Sequence, residues 1–247
     1  MVHLPVSQEP YIPVQKDDLA GCPIPTTHRR LRDAHTLWHQ ALEHYHDPER
    51  FRANLNAAIE AIRNTTFALQ KEKAAFLDFD EWYGPWQKKL QDDPTAKWLN
   101  SARVTVVHQG DLESYSYAEV RLVTWKEEVL SSIPVPIQTP SDLILQNPDL
   151  LKLHDPSRKG SWEIEDAVLL IERRWSTADL QGREILSALA YVYGLIADLV
   201  LDAHSHFGHL DCISSDDPHH DFPSPYDRTG TLRCMTSVEA RTERFKP

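Results

Sequence analysis

Arg103 and His108, with four residues between them, are followed directly by Gly110 and Asp111. An imidazole titrates near neutral pH and can act as general acid or base. A guanidinium can grip a phosphate with two parallel hydrogen bonds and stabilise charge developing on it. No other pair in the chain combines these two capacities beside a glycine. The Arg-x4–6-His spacing itself recurs at Arg29 and Arg30 with His35, and at Arg32 with His39.

Two histidine groups have a spacing that can present metal ligands. His35 and His39 stand at i and i+4, so a helix would place both on one face. They lack the acidic residue of a His-Glu-x-x-His motif, and Trp38 lies beside them, so packing or a surface role is the expectation. His204, His206, His209 and Cys212 form a denser group, with His219 and His220 nearby. Imidazole and thiolate so close in sequence can enclose zinc, although the spacing fits no standard finger. The expectation is that this group holds no structural metal and that the protein needs no cofactor. Glu72, Asp78, Asp80 and Glu81 read as a solvated acidic surface. The chain holds eight glycines and no G-x-S-x-G, which argues against a phosphate-cradling loop or a nucleophile elbow.

The elements that must position Arg103 and His108 follow from local signals. Asp93 is a good N-cap and Pro94 a good first helical residue. Trp98, Leu99, Ala102 and Val106 recur at helical spacing, and Gly110 sits where a left-handed cap would end the helix. On one helix the pair lies about 7.5 Å apart along the axis and about 140° apart around it. The competing reading is a hairpin, because Val104, Thr105, Val106 and Val107 are all β-branched and Gln109, Gly110 and Asp111 could turn the chain. Agreement of the two cap signals favours the helix.

Further helices are predicted upstream. One runs from a cap at Thr26 or Thr27 to about His46, with Leu31, Ala34, Trp38, Ala41, Leu42 and Tyr45 as its apolar stripe. Asp47, Pro48 and Glu49 open a second, longer one. A third spans about residues 80–91. Residues 117–126 alternate like a strand, and residues 167–175 read as a second strand with helix as the competitor. A long apolar helix at about residues 183–207 must be buried. The predicted class is mainly α (α+β): an N-terminal four-helix bundle, a small antiparallel β element and a long C-terminal helix packed on the bundle. The organisation expected is an extended proline-rich arm over residues 1–26, a single domain over 27–207 with the β insertion around 117–175, and an irregular tail over 208–247.

A helical bundle with Arg-x4-His at the end of a late helix resembles the HEPN superfamily, over about residues 28–113. The resemblance implies a metal-independent endoribonuclease, often a homodimer and often in toxin–antitoxin or defence systems. Arg103 and His108 would be its catalytic residues, the RNA 2′-OH its nucleophile, and single-stranded RNA its substrate. The motif reads Arg103-Val-Thr-Val-Val-His108 and departs from the family at Val104, where a polar residue, commonly asparagine, is preferred. The alternative from a different class is a catalytically silent helical protein that binds a protein partner or serves as a scaffold.

Composition bounds both readings. The net charge is −11, which disfavours a global surface for duplex DNA. Cys22, Cys212 and Cys234 are odd in number and far apart, so no disulfide framework is implied. The first residues lack the basic start and apolar core of a signal peptide, and the apolar run at 185–201 is interrupted by Gly194 and Asp198. A cytoplasmic protein without a membrane span is therefore expected.

Overall fold

Capping chemistry sets the helix boundaries. The computed structural model describes residues 19, 21–124, 129–135, 167–208 and 241–245. Helices α1 (Pro25–Glu43) and α2 (Pro48–Lys71) run antiparallel across a tight turn. Asp47 opens α2 by accepting from the Arg50 amide at 3.1 Å, with Pro48 next in line. Helix α3 (Phe79–Asp92) precedes α4 (Pro94–His108), which Asp93 caps through the Ala96 amide at 2.8 Å. Val104, Thr105, Val106 and Val107 are therefore helical, and the hairpin alternative does not form. Tertiary burial of Trp98, Leu99 and Ala102 on the other face outweighs the β-branched preference.

The start of α1 differs from expectation. Neither Thr26 nor Thr27 caps it. Ile24 occupies the N-cap position, and its aliphatic side chain has no acceptor to offer the first amides of the helix. Glu72, one residue past α2, takes over that role. Its carboxylate accepts from the Thr26 and Thr27 amides at 2.8 and 2.9 Å and from the Thr27 hydroxyl at 2.6 Å.

Four antiparallel strands complete the described elements, in the order β2-β1-β3-β4. They are β1 (Tyr115–Thr124), β2 (Val129–Val135), β3 (Ala167–Ser176) and β4 (Arg241–Phe245). Register pairs Ser116 with Trp175, Ala118 with Arg173 and Val120 with Ile171. Ser116, Ala118, Ile171, Arg173 and Trp175 are buried, whereas Tyr115 and Tyr117 are exposed. Residues 167–175 are thus strand rather than helix, and residues 241–245 form an edge strand where an irregular tail was expected. That strand carries no apolar alternation, and its partner lies far back in the sequence.

Helix α5 (Ile185–His206) runs through the core and packs on α1, α2 and α4. Trp38 of α1 donates its indole N–H to the Leu186 carbonyl at 2.9 Å. By length and composition α5 could cross a membrane, but most of it is buried inside the protein. The chain is mainly α, with a four-helix N-terminal bundle, a small antiparallel sheet and a long later helix. Trp38, Leu55, Ile59, Ile62 and Trp98 are buried as their stripes predict, whereas Trp86 is only half-buried. Its indole points outward, with Trp82, to donate to Asp202 at 2.7 and 3.0 Å.

Candidate functional site

Arg103 and His108 leave α4 on different sides. His108 is exposed in the last turn. Arg103 turns instead toward α2, where its guanidinium lies 5.7 Å from the centre of the Phe67 ring. Its Nε is buried and has no hydrogen-bond partner among the described residues. Five residues of helix carry the two side chains about 140° apart, so within one chain they leave the helix toward different surfaces.

Arg103 belongs to another grouping. Arg63, one turn before Phe67, places its guanidinium 4.1 Å from the same ring and donates to Asn100 at 3.1 Å. Burial is the main cause that lowers the Arg63 pKa; the like charge of Arg103 adds to it, against the pull of Tyr83. Burial in turn raises the Tyr83 pKa, opposed by Arg63. Phe67 remains 37% exposed, and Val104 and Val107 of α4 are comparably open. Arg30, Asn64, Phe67 and Lys71 border a surface cavity of about 310 Å³ next to this ring. Two cations and one aromatic face thus meet on the outside of α2 and α4, and the exposed Val104 and Val107 lie on the same helix as Arg103.

A second grouping joins three segments distant in sequence. Cys22 precedes α1, His28 sits in the first turns of α1, and His204 lies in the last turn of α5. Gly21 (φ +99°) turns the chain, and the Cys22 amide donates to the Leu19 carbonyl at 2.9 Å. Cys22 Sγ stands 3.3 Å from His204 Nε2 and 3.9 Å from His28 Nδ1. The two imidazoles meet edge to face with ring centres 5.3 Å apart. His204 Nδ1 lies 2.7 Å from the Val200 carbonyl, which can only accept. Nδ1 therefore carries a proton, and in the neutral ring the Nε2 lone pair faces the sulfur. Both histidines are fully buried.

The metal-ligand candidates read from the sequence are regrouped accordingly. His204 and His206, two residues apart on α5, project about 200° from each other. His206 instead meets Asp78 at 2.9 Å. His209 and Cys212 lie outside the described residues. His35 and His39 do share a face, with their Nε2 atoms 3.1 Å apart, and burial lowers the His39 pKa. His35 also stacks on Tyr193, so the pair is built into the helix packing. Sequence reasoning missed Cys22 and His28. Their only local sign is a cysteine six residues before a histidine at a helix start.

A buried carboxyl also stands out. Glu184 caps α5 through the Ser187 amide at 2.7 Å and accepts from the Tyr45 hydroxyl at 3.0 Å. Burial pushes its pKa up to about 7 against these stabilising hydrogen bonds. Burial first, and then the Glu184 charge, raise the Tyr45 pKa well above its usual range.

A family model described as bacteriophage lambda protein ea47 matches residues 15–246, nearly the whole chain. The chain belongs to the phage lambda Ea47 family. Protein ea47 of Escherichia phage lambda is 34% identical over 169 residues, which cover 67% of this chain and 40% of that protein. The chain thus spans well under half the length of this relative. No solved structure matches. The family match overturns the HEPN resemblance, and with it the ribonuclease and toxin–antitoxin expectations. What suggested them was a spacing short enough to recur by chance among the arginines and histidines of this chain.

Proposed function

We propose that this Ea47-family protein is a non-catalytic binding protein. Its docking surface is the outer face of α2 and α4 around Phe67, and its partner is an acidic, amphipathic protein segment. The observation that carries this reading is the position of Arg63 and Arg103, both over one partly exposed aromatic ring. Cations held against an aromatic face are partly desolvated and preorganised, so a carboxylate reaching them meets fixed charge at small entropic cost. Val104 and Val107 beside them suit the apolar side of the same segment. A continuous nucleic-acid backbone needs a longer run of cations than this patch offers on a chain of net charge −11.

Selection of random peptides displayed on a carrier tests the reading. Selected sequences should combine Asp or Glu with Leu, Ile or Phe, and their binding should weaken as salt rises. Arg103→Glu should weaken binding by about tenfold to a hundredfold, because it sets like charge against the peptide. Phe67→Ala should also weaken it, and neither variant should lower the melting temperature by more than a few degrees. Peptides without acidic residues, or single-stranded poly(U) binding in their place with the same Arg103 dependence, would overturn the proposal.

A further inference from the structure

We infer that Cys22, His28 and His204 form a site for a single divalent transition-metal ion, with zinc as its best fit. The inference is independent of the docking surface, which lies on other residues.

Geometry supports it first. One ligand atom from each residue can be chosen so that all three lie within 4.8 Å of one another. A tetrahedral zinc with Zn–S about 2.3 Å and Zn–N about 2.05 Å places sulfur and nitrogen about 3.6 Å apart. The observed Sγ–N separations of 3.3 and 3.9 Å bracket that value. The same geometry sets the two nitrogens about 3.3 Å apart, whereas the ligand atoms here lie within 4.8 Å of one another. The sulfur thus already stands at ligand spacing to both rings, and a rotation of the His28 ring on the ångström scale would bring the imidazoles together around an ion.

Ligand chemistry supports it second. One thiolate and two imidazoles are borderline-soft donors, which favour zinc and its neighbours over magnesium or calcium. The Val200 carbonyl holds the proton on His204 Nδ1 and so directs Nε2 to the sulfur. A carbonyl behind the ring is the usual outer support of a metal-bound histidine. On binding, the Cys22 thiol loses its proton to solvent and the thiolate sulfur bonds the ion. The two neutral imidazoles donate lone pairs, and a water completes the tetrahedron. The ion would tie the segment before α1 to the last turn of α5, residues 182 apart in sequence.

The test uses the full chain carrying Cys212→Ser and Cys234→Ser, so that Cys22 is the only thiol. The reduced protein is stripped with chelator, dialysed and titrated with cobalt(II), then with zinc(II). The expected result is one equivalent of cobalt bound with a near-ultraviolet sulfur-to-cobalt band and visible tetrahedral bands. Zinc should displace the cobalt, and either ion should raise the melting temperature. His204→Gln should weaken binding by roughly tenfold or more, as loss of a ligand does. His206→Gln serves as a control on the same helix turn and should leave binding unchanged. Absence of a sulfur-to-cobalt band in folded protein overturns the site, whatever the variants do. So does a melting temperature that metal leaves unmoved, because the cluster is then a thiol–imidazole hydrogen-bond group alone.

Discussion

Glu184 joins three jobs in one carboxyl: it caps α5, accepts from Tyr45 and is almost wholly buried. Its folded pKa of about 7 lies above the ordinary value of 4.5. Between those values the folded state holds a proton that the unfolded state has released. This contribution to stability is therefore fully present below the unfolded pKa and is lost as pH rises through the folded one. The loss amounts to about 3 kcal/mol at most. Glu184→Gln keeps an acceptor and cannot ionise. Relative to the variant, the wild type should lose urea resistance between about pH 5 and pH 8. Equal pH slopes for the two proteins would show that the carboxyl is not the source. His108, by contrast, is exposed at the end of α4, and His108→Ala should change stability by less than about 0.5 kcal/mol.

At the scale of elements, what was legible was local. Asp47-Pro48 and Asp93-Pro94 announce α2 and α4 within three residues of chain, and the structure uses both caps. Apolar stripes placed Trp38, Leu55 and Ile62 in the core for the same reason, since helical period is a short-range property. The Glu72 cap on α1 spans 45 residues, and no sequence window connects its ends. Cys22 and His204 meet across a still longer gap, and β4 finds β3 in the same way. For the Arg103–His108 pair the spacing was visible, but the contact of Arg103 with Phe67 on another helix was not. Glu72→Ala should cost about 1 kcal/mol, the usual worth of a helix cap, and should loosen the first turn of α1. Hydrogen exchange at the Thr26 and Thr27 amides checks this directly, because both donate to Glu72. Unchanged protection there would refute the cap.

At the scale of the whole molecule, the sheet and the helices share one set of buried contacts. Trp175 of β3 stacks on Phe51 of α2 with ring centres 4.5 Å apart. Its indole donates to the Tyr45 carbonyl at 2.9 Å, in the turn between α1 and α2. The Tyr45 hydroxyl then reaches Glu184 at the start of α5, so bundle, sheet and core helix meet around one tyrosine. Such coupling predicts that the sheet does not melt by itself. Trp175→Phe keeps an aromatic ring against Phe51 but removes the donor, leaving the buried Tyr45 carbonyl without that partner. It should cost about 1–3 kcal/mol, the range for an unsatisfied buried polar group. Far-ultraviolet dichroism reports mainly the helices, whereas a fluorophore attached at Tyr117→Cys would report the sheet. Both should shift to the same lower midpoint and remain superimposable, as one cooperative unit requires. A sheet transition that moves while the helical one stays fixed would divide the molecule into two units and break the link through Tyr45.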